Sequence, residues 1–337
     1  MNYSRLVCIL LLAVALPLVS MAQESVGILR KGRQRAFTET VPAGNYSGIA
    51  WLGDDLYAVV SDKSPSNGIH LFSIQLDSVS GKLLQVTDQG YIATADSLRE
   101  RDAEGIAFMP HTSTLMIAGE ADGRIIEYTI EGKPTGREVL LPTEFRQARR
   151  NGGIESLTYN ACTHRLWTCP ETTLPIDGQA ATADNRIQNT IRIQAFDDDL
   201  LPREHFLYQM DAPRSRKPAA VYAMGVSELC ALDDGSLIVL EREFRVPRRK
   251  LGSFVACKLY RAFPDGRPKQ LLTSWRTRLN LLHRSLANYE GMCLGPRLRD
   301  GSMTLILLSD SQDQYRGILK DWFKVVILSP VSSLIPG

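Results

Sequence analysis

One unit recurs along this chain, and its repetition constrains the fold more than any other feature. The unit is an acid or Ser, an apolar run, a turn, and a second apolar run ending in an acid. Ser47-Gly48-Ile49-Ala50-Trp51 leads to Ser61-Asp62, and Glu104-Gly105-Ile106-Ala107-Phe108 leads to Gly119-Glu120. Glu155-Ser156-Leu157-Thr158-Tyr159 leads to Pro170-Glu171, and Glu228-Leu229-Cys230-Ala231-Leu232 leads to Leu240-Glu241-Arg242-Glu243. The last copy runs from Glu290-Gly291-Met292-Cys293-Leu294 to Ser309-Asp310. Copies start 51 to 73 residues apart. Short apolar, β-branched runs such as 56–60, 114–118 and 236–240 read as strands, with hairpin turns at Asp122-Gly123, Asp234-Gly235 and Asp300-Gly301.

Two further strand-like runs lie between copies, for example 124–130 and 137–141. Four strands per unit, repeated about an axis, is the plan of a β-propeller. The expected fold is all-β, a single propeller with five blades by unit count. The two long intervals leave room for a sixth. The last unit lacks a fourth strand after residues 323–328, and residues 27–37 are expected to supply it and close the ring. A β-sandwich with hairpin insertions is the competing architecture.

The N-terminus reads as an export signal. Arg5 precedes an apolar stretch over residues 6–19, and Ser20-Met21-Ala22 offers small residues for cleavage before Gln23. The expected division is a signal peptide over 1–22 and one propeller domain over 23–337, with a periplasmic or extracellular product. No later stretch reaches the length of a transmembrane helix. The whole chain carries 39 Lys and Arg against 37 Asp and Glu, and loss of Arg5 leaves a formal charge of +1. That balance speaks against nucleic acid as a partner. A monomer is expected. The five later cysteines (Cys162, Cys169, Cys230, Cys257, Cys293) are odd in number and sparse, so most are expected to be buried thiols.

In a propeller the first strand of each blade lies nearest the axis. Glu104, Glu155, Glu228 and Glu290 should then converge at one mouth, with Ser47 lining the channel in the first blade. A second set follows the second strands: Asp62, Glu120, Glu171, Glu241, Glu243 and Asp310. Carboxylates gathered in a desolvated channel must be protonated, paired with a base, or arranged around a cation. Oxygen-only ligands favour calcium over zinc or copper. Arg242 and Lys63 either neutralise neighbouring acids or, with Asn288, meet an anionic group of a substrate. Basic loops (Arg146, Arg149, Arg150; Arg214, Arg216, Lys217; Arg245, Arg248, Arg249, Lys250) read as solvated surface or as a rim for a phosphate or carboxylate. There is no G-x-S-x-G elbow, no CxxC and no HExxH, and the five histidines are dispersed.

At these residues the sequence resembles a known family, esterase-like activity of phytase, or phytase-like. The resemblance rests on Asp102-Ala103-Glu104-Gly105-Ile106, on Gly153-Ile154-Glu155-Ser156-Leu157-Thr158, and on the stretch from Asp233-Asp234-Gly235 to Glu241-Arg242-Glu243. Its most specific part is Asn288-Tyr289-Glu290-Gly291-Met292-Cys293-Leu294-Gly295-Pro296 with Leu308-Ser309-Asp310. It spans about residues 45 to 330. The resemblance implies a propeller whose acidic mouth binds calcium and holds phosphate against it, acting on a small anionic ester or phosphoester. Two other functions stay open: a non-catalytic propeller that docks a glycan, peptide or envelope partner, and a lactonase-like calcium hydrolase.

Overall fold

The computed structural model describes residues 26–331 except 65, 96–97, 99–100, 148–152, 216 and 282–283. The expected signal segment, Arg149, Arg150, Arg216 and His283 lie outside the described residues.

Five four-stranded antiparallel sheets follow one another along the chain. Blade one holds β2 (Tyr46–Gly53), β3 (Leu56–Ser61), β4 (Gly68–Leu76) and β5 (Leu83–Ala93). Blade two holds β6 (Ala103–Met109), β7 (Thr114–Gly119), β8 (Arg124–Thr129) and β9 (Pro134–Glu138). Blade three holds β10 (Ile154–Asn160), β11 (Arg165–Pro170), β12 (Thr190–Phe196) and β13 (Pro202–Gln209). Blade four holds β14 (Val221–Ala231), β15 (Leu237–Val246), β16 (Phe254–Ala262) and β17 (Gln270–Arg278). Blade five joins β18 (Asn288–Leu294), β19 (Met303–Asp310) and β20 (Phe323–Leu328) to β1 (Ile28–Lys31) from the other end of the chain. The expected closing strand is therefore present, its pairing running from Ile28↔Leu328 to an isolated bridge Arg35↔Phe323. The inner strands β2, β6, β10, β14 and β18 touch in sequence, and β18 returns to β2. The fold is a five-bladed propeller, and stacked sheets are excluded.

The second strands explain their own sequences. β7 and β19 are buried along their whole length, because a neighbouring blade covers each face. Continuous apolar runs are what such strands require. The outer strands β9 and β13 expose most of their residues and are correspondingly polar. Five buried apolar clusters fill the gaps between consecutive blades. The 73-residue interval holds two long connections, 171–189 and 210–220, rather than another blade. Of the cysteines, Cys169, Cys230 and Cys257 are buried, and all five are free thiols.

Glycine after the acid has a packing reason. A Cβ on Gly48 would stand 2.6 Å from the Glu104 carbonyl oxygen, and one on Gly105 would stand 2.8 Å from that of Glu155. Inner strands approach this closely around the axis only where one side lacks a side chain.

Candidate functional site at the acidic mouth

A β-bulge sits at the same place in every inner strand. Pairing with the second strand skips Ser47, Glu104, Glu155, Ser227 and Glu290. Bulges re-aim side chains, and this ring lies at the end of the axis where the inner strands begin. The bulge is preceded in each inner strand by a residue paired with Ser61, Gly119, Pro170, Glu241 or Ser309, and the next residue of each second strand forms a companion ring: Asp62, Glu120, Glu171, Arg242 and Asp310.

Blade four departs from the sequence reading in both rings. Glu228 does not share the position of Glu104, Glu155 and Glu290; Ser227 does. Glu241 does not share the position of Asp62 and Glu171; Arg242 does. A shift of one residue sends a strand's side chains to the opposite face. Glu241 consequently faces away from the axis, where it accepts from the Tyr208 hydroxyl at 2.9 Å and the Lys269 ammonium at 2.7 Å. Glu243 anchors a loop, accepting from the backbone of Arg214 at 3.0 Å and Ser215 at 2.8 Å. Glu228 lies deeper on the axis and takes backbone hydrogen from Leu157 at 3.1 Å and Leu229 at 2.9 Å, and also from Met292. Burial pushes its carboxyl well above the usual range.

The two rings meet across the gaps between blades. Glu120 accepts from Gly153 N at 3.1 Å, and Glu171 fits against Gly225, where a Cβ would collide with it. Arg242 donates through Nη1 to Asn288 Oδ1 at 3.0 Å and to Glu290, and through Nη2 to Glu171 at 2.6 Å. Asn288 also donates to Glu290 Oε1 at 2.8 Å. Arg242 is thus a buried counter-ion for three blades, with its Nη groups already committed. Burial works against its charge, and Glu290, Glu171 and Glu155 outweigh it.

Between blades one and two the pattern changes. Asp62 meets Asp102 there, and Glu104 joins them: one oxygen from each lies within 4.8 Å of the other two. Asp102 is the residue that sequence reasoning missed, although it stands two places before Glu104. It adopts φ 55°, a conformation Asp tolerates better than most residues. Lys63, exposed, donates to Asp62 Oδ2 at 2.8 Å, while Asp62 Oδ1 is buried without a protein partner. Burial raises the Asp62 carboxyl, opposed by Lys63. Burial, then Glu155, Glu290 and Asp62, hold Glu104 well above the usual range. Asp310 is raised by burial and by Glu290, though Gln312 N donates to it at 2.6 Å. An orphaned buried oxygen in a set of carboxylates fits a hard, oxygen-seeking cation.

Blade four also builds the rim. β14 and β15 continue pairing past the rings from Gly225↔Arg242 to Val221↔Val246. This carries Arg214, Lys217, Arg248 and Arg249, all exposed, to the acidic side. Lys250 reaches blade five, its Nζ 5.6 Å from the Tyr315 ring centre. Arg146, in a short 3-10 helix, is also described, after blade two.

The fold and site define a five-bladed propeller with an acidic, arginine-bridged mouth. Residues 41–312 match the family described as phytase-like, esterase-like activity of phytase, and the chain belongs to that family. No curated protein matches it. Solved structures similar to it include a nidogen/laminin complex, 12% identical over 81% of this chain and 79% of that one, at a TM-score of 0.42. Streptogramin B lyase is 13% identical over 88% of this chain and 97% of its own, at 0.39. A calcium-binding protein, regucalcin, from Agrobacterium tumefaciens is 12% identical over 87% and 94%, also at 0.39. Among the described residues, no helix is long and apolar enough to cross a membrane.

Proposed function

We propose that this protein is an exported, calcium-assisted hydrolase of small anionic esters or phosphoesters, acting at the acidic mouth. The observation that carries the reading is the Asp62–Asp102–Glu104 triad, with its orphaned Asp62 Oδ1 beside the exposed Lys63. Asp62, Asp102 and Glu104 would hold the ion, which when bound supplies polarisation of a phosphoryl or acyl oxygen. The protein's own residues do the rest. Arg214, Lys217, Arg248 and Arg249 draw an anion to the rim, and Lys63 receives its charged group next to the triad. Arg242 keeps Glu171 and Glu290 from competing for the ion, because it already holds both. Glu155, partly buried and crowded by Glu171, is held toward its protonated form and can keep or release a proton at its carboxyl.

The test is calorimetry with calcium alone, followed by hydrolysis of p-nitrophenyl phosphate, aryl acetates and phytate with and without calcium. The expected result is one tight calcium and calcium-dependent turnover of at least one substrate class. Calcium binding without turnover would favour the docking propeller; turnover of lactones alone would favour the lactonase-like reading.

A further inference from the structure

The opposite end of the axis is a different environment. Continuing along the inner strands from the bulge, the fourth ring is Ala50, Ala107, Thr158, Cys230 and Cys293, all small. The fifth is Trp51, Phe108, Tyr159, Ala231 and Leu294, mostly large and apolar. Both complete rings line one cavity of about 300 Å³. Small side chains open the space, and the larger ring beyond them forms its wall. Between this cavity and the acidic mouth lies Glu228, 1% exposed, whose carboxyl accepts backbone hydrogens from blades three, four and five.

Most of the polar side chains around the cavity already have partners. Asn160 donates to Leu232 O at 2.7 Å and accepts from Cys162 N at 2.9 Å and Thr163 N at 3.1 Å. Thr158 accepts from Ala231 N at 3.0 Å, and Tyr159 donates to Asp198 at 2.8 Å. Arg297 and Asp233 close on each other at 2.7 Å. A charged guest would find Arg297 and Asp233 already engaged with each other, whereas an apolar guest need only displace water from carbon surface.

We infer that this cavity is a second ligand site, separate from the acidic mouth, for an uncharged aromatic small molecule of one or two rings. Its volume lies at the lower end of the roughly 300–1,000 Å³ of ligand pockets. The inference does not depend on calcium or on hydrolysis at the other mouth.

Two neutral probes test it, 2-naphthol and indole, titrated into the whole protein and followed by calorimetry and by probe fluorescence. Saturable binding of one equivalent of either is expected, with 2-naphthoate at least tenfold weaker than 2-naphthol. Ala107→Phe and, separately, Ala50→Leu should each weaken binding at least tenfold while the far-ultraviolet spectrum is kept; two substitutions guard against one of them misfolding. Absence of saturable binding of both probes, or binding that neither filled-in variant weakens, overturns the inference. Asp102→Asn should leave probe affinity within twofold, and a larger change would show that the two mouths are not separate.

Discussion

Arg242 Nη2 lies 2.6 Å from Glu171 Oε1, and the two residues occupy the same place in consecutive blades. The companion ring would be wholly acidic without this one substitution of a cation. Arg242→Met keeps apolar volume but leaves buried Glu171 and partly buried Glu290 without their counter-ion, Glu290 keeping only its bond from Asn288. Breaking such a pair costs about 3–5 kcal/mol, so urea unfolding at pH 8 should show a loss of that order. The carboxyls can relieve the penalty by taking up protons. The loss should therefore shrink at pH 5, and a loss unchanged between the two pH values would contradict the counter-ion role.

Gly105 lies where the inner strands of blades two and three approach closely. Its missing Cβ would fall 2.8 Å from the Glu155 carbonyl oxygen and 3.0 Å from Leu157 Cβ, and neither atom can swing away. Gly105→Ala should cost about 1–3 kcal/mol through overpacking. Gly136→Ala has nothing nearby to meet and differs in kind, since Gly136 has φ 85°; its penalty is backbone strain alone. Thermal melts of both variants in buffers without calcium separate crowding from strain.

How much of this was readable beforehand depends on what each signal measures. Apolar runs, hairpin glycines and the recurring acid report burial and turn chemistry, which are local, and they specified five blades and the closing strand. The axial position of a side chain depends on a bulge, and a bulge adds one residue with no composition of its own. In blades two, three and five an acid happens to stand at the bulge, so the reading of Glu104, Glu155 and Glu290 agrees with their placement. In blade four the acids Glu228 and Glu241 lie one residue out of phase with Ser227 and Arg242. A motif aligned on acids follows the acids. Aligning the apolar positions instead, Leu229 with Ile106 and Met292 and then Leu240 with Leu308, would have placed Ser227 and Arg242 in the two rings.

That displacement separates two carboxylates that look alike in sequence. Asp62→Asn should remove most of any rise in melting temperature on adding calcium, because a ligand stabilises only through its site. Glu241→Gln should leave the calcium response intact. It should nevertheless lower stability, by about 1–3 kcal/mol, since Lys269 and the Tyr208 hydroxyl lose a buried charged acceptor. Equal loss of calcium response in both variants would place the ion away from the Asp62–Asp102–Glu104 triad.

Asp321 offers a test of the blade-five loop through pH. Burial raises its carboxyl from 3.8 to about 6, despite hydrogen bonds from Ser311 and Gly44. The folded state therefore holds the proton more tightly than the unfolded chain does. The stabilisation that proton brings is fully present below about pH 4 and is lost as pH rises through 6. Above pH 7 the buried charge is a net cost, with Oδ1 lacking a partner. Asp321→Asn removes the charge while keeping an acceptor for Gly44, so it should stabilise the protein at pH 8 by about 1–3 kcal/mol. The gain should fade toward zero by pH 4, where the wild-type carboxyl is already protonated. Unfolding curves at pH 4, 6 and 8 would read this directly, and a variant less stable than wild type at pH 8 would mean that the Asp321 charge is held by a favourable interaction instead.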